Sequence, residues 1–562
     1  RAFNTLYAEY EIIKNLKFKT TFSYDYTTVK GEKWYDPRTS NGEDENGEVV
    51  KRIREYKKMV WSNTLSYLTT FNNIHHLDFL AGYEIDDTYN DYLSGEAYNF
   101  TTPDKHAISN GMKTVSVGGS DSRYRLVSYL SRLNYDYKNK YYLGASFRVD
   151  GSSRLHRDNR WGTFWSVSGA WRTIEEEFMQ PVKDWLTDLR IRASYGVNGT
   201  LPSDYFGYMG LSSISGGYLE QPGIQMSQIA NPNLKWETNY NMNIGLDFGF
   251  WDRLNFTIEY YTRTTKNLLM DCPVSMTTGF SSYLMNIGEV KNKGIELTIN
   301  STNIKIKDFS WNTTFNLGHN SNKVVKLDGE QTQIVSGTQI HKVGSSYRTF
   351  YVQEFAGINP ETGNPLFYTN ELDENGNYIK EITENSKNAQ FIPYKHAEPT
   401  VNGGISNSLR YKWLDLNFLF SYQFGGYSYD TWAQKTEHGG YDSYANIPTY
   451  YRDSWKKPGD QTNIEVYMPG KSSSVSMHKI TSSRRIHSTD YFRLKNITFG
   501  ITLPKEWTNK INIGNVRFYA SASNLWTWAA YDNYDPEAVS AGSATQTTPP
   551  LKTVTFGLNI NF

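Results

Sequence analysis

The sequence predicts an all-β fold, a transmembrane antiparallel β-barrel. Three observations predict it: side chains alternate apolar and polar at a period of two, connections alternate short and long, and Tyr and Trp are abundant. A period of two sends successive side chains to opposite faces, which suits a strand between lipid and a wet lumen.

The alternation recurs along the chain. Val127, Tyr129, Leu133 and Tyr135 oppose Ser128, Arg132, Asn134 and Asp136. Tyr240, Met242, Ile244, Leu246, Phe248 and Phe250 share a face opposite Asn239, Asn241, Asn243, Gly245, Asp247 and Gly249. Leu254, Phe256, Ile258 and Tyr260 oppose Asn255, Thr257 and Glu259. Leu414, Leu416, Phe418, Phe420, Tyr422 and Phe424 oppose Asp415, Asn417, Ser421 and Gln423, with Leu419 the exception. Val516, Phe518, Ala520 and Ala522 oppose Arg517, Tyr519, Ser521 and Ser523. The chain ends LKTVTFGLNINF, with Val554, Phe556, Leu558, Ile560 and Phe562 on one face and Thr553, Thr555, Gly557, Asn559 and Asn561 on the other. About seventeen such segments can be counted, most near the ~10 residues of a tilted membrane strand. An edge strand of a soluble sandwich would carry the same alternation.

The connections discriminate better. Short ones fall at Lys14-Asn15, Asn72 to His75, Tyr137 to Lys140, Trp251-Asp252 and Tyr411 to Trp413. Long ones are expected near 28–56, 88–122, 150–161, 197–235, 263–286, 319–398, 425–490 and 527–550, and the segment 172–188 is the longest of the short class. One-sided long loops are expected where periplasmic turns are short and extracellular loops long; a sandwich has no reason to follow that rule. Run backwards, it puts the C terminus on the periplasmic side. An odd strand count and a start without Met or a signal-peptide pattern suggest strands missing upstream, in a partial chain or one cleaved directly before Arg1.

Composition narrows the class. Aromatics make up 15% of the 562 residues, with 43 Tyr and 15 Trp. Such rings favour membrane–water boundaries and also stack on sugars. The net charge of +0 supplies no basic field for nucleic acid. Mean hydropathy is negative, which suits a barrel with polar loops and lumen but not a helical membrane protein. The single cysteine, Cys272, excludes a disulfide framework or thiolate metal site and is expected in a loop or wall without a role.

Several stretches resemble one family, the SusC/RagA group of TonB-dependent outer-membrane transporters best known from Bacteroidetes. They are LSRLNYDYKNKYYLGASFRVDGSSR (130–154), RWGTFWSVSGAWR (160–172), LRIRASYGVNG (189–199), NPNLKWETNYNMNIGLDFGF (231–250), NIGEVKNKGIELTI (286–299), AGINPETGNPLFY (356–368), DYFRLKNITFGITLP (490–504) and YDNYDPEAV (531–539). The resemblance implies a barrel of about 22 strands with an internal N-terminal plug, of which this chain is the C-terminal barrel portion across residues 1–562. It implies a SusD-like lid lipoprotein over the extracellular mouth, a dimer of such pairs, energy through a TonB-binding segment upstream, and mostly glycan cargo with an oligopeptide branch. The terminal Phe562 resembles the signal read by the barrel-assembly machinery.

Candidate sites are few. No His-Glu-x-x-His, phosphate loop or Gly-x-Ser-x-Gly elbow points to an enzyme. His75-His76 reads as a turn pair, because adjacent residues point to opposite faces. Glu175-Glu176-Glu177 reads as solvated. Asp44-Glu45-Asn46-Gly47 and Asp373-Glu374-Asn375-Gly376-Asn377 are scraps of calcium loops without the full ligand spacing; they read as turns, with loop-bound Ca²⁺ the alternative and no other cofactor expected. Asp535-Pro536-Glu537 carries no assignable catalytic role. Arg132 and Asp136 could line a path or hold a plug. For substrate contact the lead is Tyr427, Tyr429, Trp432, Tyr441, Tyr444, Tyr450 and Tyr451, whose rings can stack on sugars, pack the loop or touch a lid.

The expected function is outer-membrane import of a nutrient, a glycan or less readily an oligopeptide, with outer-membrane lipid around the barrel. A passive pore or surface-binding barrel is the alternative from another class, and a soluble all-β carbohydrate-active protein a third.

Overall fold

The computed structural model describes all residues except 219–220, 328–331, 441–445, 470–476, 478–479, 509, 511–512, 546 and 562. A 17-stranded sheet carries the chain, matching the expected count. Its strands are β1 (Ala2–Ile13), β2 (Leu16–Tyr35), β3 (Glu48–Phe71), β4 (His75–Phe100), β5 (Gly111–Tyr137), β6 (Tyr141–Ser152), β7 (Trp161–Trp171), β8 (Leu186–Thr200) and β9 (Glu237–Phe250). They continue as β10 (Leu254–Lys266), β11 (Glu289–Lys305), β12 (Phe309–Lys326), β13 (Val401–Tyr411), β14 (Leu414–Phe424), β15 (Tyr491–Thr502), β16 (Asn515–Ala529) and β17 (Thr553–Asn561). Among the described residues no helix is long and apolar enough to cross a membrane. Two compact units divide the chain: Arg1–Arg172, Arg192–Met242 and Thr265–Ile287, and Thr173–Ile191, Asn243–Thr264 and Gly288–Phe562.

In the first unit, β1 to β7 pair in sequence order, all antiparallel. One face carries the cross-strand row Phe22, Trp61, Ile85, Val127, Gly151 and Trp161. Beside the short turns the same face ends in Phe71, His75, Tyr137, Tyr141 and Trp171. Rings of this kind sit where lipid meets water. The short turns follow from local chemistry: Asn15, Asn72, Asn73, Lys138 and Asn139 take positive φ, which Asn tolerates well.

The strands β2 to β5 have 20, 24, 26 and 27 residues. A membrane crossing needs only ~9–11. The long loops expected at 28–56 and 88–122 therefore shrink to 36–47 and 101–110. The reason is visible in EVVKRIREYKK, residues 48–58: both faces mix charged and apolar side chains, so no apolar alternation marks the strand, yet the ladder runs unbroken from Glu48–Tyr98 to Phe71–His75.

Family-like motifs of this unit brace its loops. The Arg154 guanidinium of DGSSR packs against the rings of Tyr124 and Tyr205, 3.9 and 4.4 Å from their centroids, and the two rings meet edge-on with centroids 4.8 Å apart. Trp236 donates to the Arg160 carbonyl at 3.0 Å and meets Phe164 edge-on in a core with Leu155, Val197 and Leu234. Asn286 accepts from the Lys235 N–H at 2.8 Å and donates back to the Lys235 carbonyl at 2.9 Å, joining NPNLKWE to NIG.

In the second unit, β11 to β17 also pair consecutively and antiparallel. A polar row crosses six of them: Asn312, Ser408, Asn417, Thr498, Ser521 and Thr555. An apolar row runs Leu409, Leu416, Phe499, Ala520 and Phe556. Two glycines here lie against tyrosines on the paired strand, Gly403 against Tyr422 and Gly557 against Tyr519, leaving no room for a Cβ. A third, Gly294 of NKGIE, lies likewise against Tyr261.

The segments after β12, β14 and β16 are structured, not slack. Gln333–Ser336, Gln339–Lys342, Thr349–Gln353 and Phe391–His396 form a four-stranded sheet. Tyr427–Asp430, Ile486–Ser488 and Ser543–Ala544 form a three-stranded one. Phe350, Val352, Tyr429 and Ile486 make a shared core.

Candidate functional site

The three-stranded sheet gathers residues more than a hundred positions apart. Tyr429 pairs antiparallel with Ile486 and parallel with Ser543. Asp430, 1% exposed, then caps the short helix Thr431–Thr436: its Oδ1 accepts the Ala433 N–H at 2.8 Å. Its Oδ2 accepts the Tyr531 hydroxyl at 3.0 Å. The Tyr531 ring stacks on His487, with centroids 3.7 Å apart and planes 3° from parallel. Burial holds His487 neutral, with its pKa pushed down to about 4, and raises Tyr531. Tyr534 hydrogen-bonds Ser428, and burial pushes it up to about 12.

Two cavities of about 400 and 520 Å³ open on this frame and share Asn533, Tyr534, Asp535 and Pro549. The first is walled by Trp432 and threonines 545, 547 and 548, the second by Trp528, Asp532 and Lys552. Exposed indoles beside amide, hydroxyl and carboxylate groups can stack a ring and hydrogen-bond its substituents.

The structure separates the aromatics singled out by sequence. Trp432 is 41% exposed and lines the first cavity. Tyr427 is half-buried with the Lys395 ammonium 5.3 Å from its centroid. Tyr429 is buried in the loop core. Tyr451 is buried and donates to Glu465 at 2.9 Å, and Tyr450 donates to Glu437. Burial raises both phenols, Tyr450 to about 12. Arg485 pairs with Glu437, and Arg484 reaches Glu465 at 3.3 Å, so these rings belong to a buried ionic knot that packs the loop. Tyr441 and Tyr444 lie outside the described residues, as does Phe562. Sequence reasoning missed Asp430, Tyr531, Asn533 and Tyr534 as site residues; YDNYDPEAV stood out only as a family-like stretch.

Asp535-Pro536-Glu537 has a structural task. Asp535 Oδ2 lies 2.6 Å from Arg493 Nη2, Glu537 also contacts Arg493, and Lys495 Nζ lies 2.8 Å from Glu537. Two motifs that look independent in sequence, RLK and DPE, form one clamp beneath the second cavity.

The remaining candidates have local partners. Asp373 Oδ1 accepts the N–H groups of Asn375 and Asn377 at 2.9 and 2.8 Å and Oδ2 accepts Asn377 Nδ2 at 3.2 Å, closing a hairpin tip with Gly376 at φ +81. Those bonds, led by the Asn377 N–H, hold its carboxyl below the usual range. Asn46 and Gly47 take positive φ in a turn pinned to Asn99. Among the described residues no group of three or more His, Cys, Asp or Glu could hold a metal. His75 bonds Tyr135 and His76 bonds Thr70. Glu175 lies 3.5 Å from Lys183. Arg132 pairs with Asp78 at 2.9 Å, and Asp136 accepts the Asn139 N–H at 3.2 Å in its turn. Cys272 is buried in the hairpin strand Leu269–Pro273.

A family model described as TonB dependent receptor-like, beta-barrel matches residues 2–378. TonB-dependent receptor P3 of Formosa agariphila is 32% identical over 587 residues, covering 99% of this chain and 57% of that protein. TonB-dependent receptor SusC of Bacteroides thetaiotaomicron is 29% identical over 541 residues, covering 92% of this chain and 51% of that one. Among solved structures, the RagAB peptide transporter superposes with a TM-score of 0.87 at 26% identity, covering 99% of this chain and 61% of the matched one. The chain thus spans a little over half the length of the curated relatives it matches.

Proposed function

Since the chain belongs to the TonB-dependent receptor-like β-barrel family, an outer-membrane family, and is of its SusC/RagA type, we propose that the whole protein imports a glycan across the outer membrane, energised through TonB. The observation that carries the import reading is similarity over 99% of the chain to a TonB-dependent receptor and to the RagAB structure. The cargo reading rests on the pair of cavities around Asn533 and Tyr534, with Trp432 and Trp528 offering ring faces among hydroxyl, amide and acid groups. In this reading the short turns face the periplasm, the structured segments after β12, β14 and β16 face outward, and a SusD-like lipoprotein covers them. A plug and TonB-binding segment lie upstream, and two such pairs associate. No covalent chemistry is required.

One observation favours a second cargo, an oligopeptide: a solved structure that covers 99% of the chain with a TM-score of 0.87 is named a peptide transporter. The test is uptake of labelled neutral oligosaccharides and labelled peptides by cells making the full-length protein, with and without a protonophore. Protonophore-sensitive sugar uptake that falls about tenfold in Trp432→Ala, ~1.4 kcal/mol, is expected. Protonophore-sensitive peptide uptake without sugar uptake would replace the glycan with the peptide, and uptake indifferent to the protonophore would replace active import with a passive pore.

A further inference from the structure

A third cavity, of about 530 Å³, lies away from the Trp432 frame, on the segment between β12 and β13. That volume falls within the roughly 300–1,000 Å³ of small-ligand pockets. Its floor is a face of the four-stranded sheet. Gln333 pairs with Lys342 and Tyr351 with Pro393, so these side chains stand together on that face. The Tyr351 and Phe391 rings lie 5.5 Å apart. Its other wall is the hairpin Glu371–Leu372 and Tyr378–Ile379, in which Leu372 pairs with Tyr378. The Asp373 carboxylate locks the tip of that hairpin. Its base is joined to the sheet through the Gln390 N–H, which donates to the Thr369 carbonyl at 2.8 Å.

Three features of this cavity are those of a ligand site and not of packing. Phe391 and Tyr378 are 41% and 43% exposed, so ring faces that the fold could have covered stay open. Lys342 and Glu371 both line it, and neither has an ion-pair partner among the described residues. Asn370, also on its wall, is 1% exposed and held at φ +52. Its Nδ2 donates to Glu354 at 3.2 Å, but its Oδ1 has no donor. A buried acceptor left unpaired destabilises the fold, and a ligand donor at the cavity wall offsets that cost.

We infer that this cavity is a second carbohydrate-capture site, taking a neutral oligosaccharide. One cation and one anion cancel, so the lining selects no net charge. Hydroxyls suit it best. They donate to Glu371 and to the Asn370 carbonyl oxygen, accept from Lys342, and do both with the Gln333 and Gln390 amides. The apolar C–H face of a sugar ring covers Phe391 and Tyr378. The site holds cargo on the segment between β12 and β13, separately from the cavities around Asn533, and does not depend on which cargo those take.

The test uses the full-length protein in detergent with its co-purifying subunits. Neutral gluco-, manno-, xylo- and galacto-oligosaccharides are titrated by calorimetry, with a tripeptide pool as the control ligand. Phe391→Ala, Tyr378→Ala and Asn370→Ala are compared with Tyr394→Ala, an exposed ring on the same strand as Phe391 that lines none of the three cavities, each checked for heat-modifiable mobility as a sign of an intact barrel. At least one sugar should bind with an affinity that falls about tenfold in Phe391→Ala and Tyr378→Ala, falls in Asn370→Ala, and is unchanged in Tyr394→Ala. Wild-type sugar binding in the first three variants, no sugar binding at all, or tripeptide binding lost in those variants would each overturn the inference.

Discussion

Neutralising both acids of the DPE motif should unlatch the segment that frames the two cavities. Arg493 is 2% exposed, and its guanidinium is met by Asp535 at 2.6 Å, by Glu537, and by the Thr527 hydroxyl, to which Nε donates at 2.9 Å. In Asp535→Asn/Glu537→Gln the cation stays buried while both counter-charges vanish. Removing one side of a buried pair costs ~3–5 kcal/mol, chiefly from the charge left behind. At ~1.4 kcal/mol per tenfold, local opening should rise by roughly 10² or more. Hydrogen exchange reads this at amides that close the segment, such as Ala538, bonded to the Asp535 carbonyl at 2.9 Å, and Ser543, bonded to the Ser540 carbonyl at 2.9 Å. Amides of the β15–β16 ladder well away from the clamp should not change. Adding Arg493→Met should recover most of the loss, because replacing a whole buried ion pair with apolar groups is often near neutral. Exchange within about threefold of wild type in the double variant, or no recovery in the triple, would refute the reasoning.

Three further outcomes are expected. Gly403→Ala places a Cβ 2.5 Å from Tyr422 Oη and closer still to the Asn316 carbonyl, so urea unfolding in detergent should show a loss of ~1–3 kcal/mol; an unchanged midpoint would mean the ring moves freely. His487 has a folded pKa near 4, below its unfolded value of 6.5, so the folded state binds fewer protons and stability of the 486–488 segment falls as pH drops from about 6.5 to 4. Asp430 opposes that depression and Arg484 and Arg485 reinforce it; His487→Phe should keep the stack and abolish the pH dependence, measured by exchange corrected for intrinsic rates. Arg154→Lys should loosen the segment 201–208, since an ammonium lacks the planar guanidinium that packs on both Tyr124 and Tyr205 and donates to the Pro202 carbonyl at 3.0 Å; a cost of ~1 kcal/mol should appear as faster proteolysis there.

Much of the sheet could be read from sequence because two-residue alternation and short Asn-containing turns are local signals. Each short connection falls where the sequence put it, at 14–15, 72–74, 138–140, 251–253 and 412–413. Strand extent was harder. Beyond the apolar band β3 and β4 keep pairing through Lys51, Arg54, Glu55 and Lys57, where neither face is apolar and periodicity carries no information. The candidate site was half visible. Aromatic richness pointed to a segment that frames one of the candidate cavities, but composition cannot tell the open Trp432 from the buried Tyr429 and Tyr451. Tyr531 and Tyr534 meet Asp430 and Ser428 only through folding across about a hundred residues, and nothing local announces that meeting.

The glycines set against tyrosines bear on how this sheet finds its alignment. In an alternating strand a slip of one residue turns every side chain to the wrong face, and hydrophobicity forbids it. A slip of two keeps each face intact and is nearly invisible to lipid and water. At Tyr422 such a slip would replace Gly403 with Val401 or Ile405, and at Tyr519 it would replace Gly557 with Thr555 or Asn559. Each substitute carries a Cβ where a ring now lies. The two rings therefore act as keyed teeth, one on β13–β14 and one on β16–β17. They reject the misalignments that alternation alone would let pass.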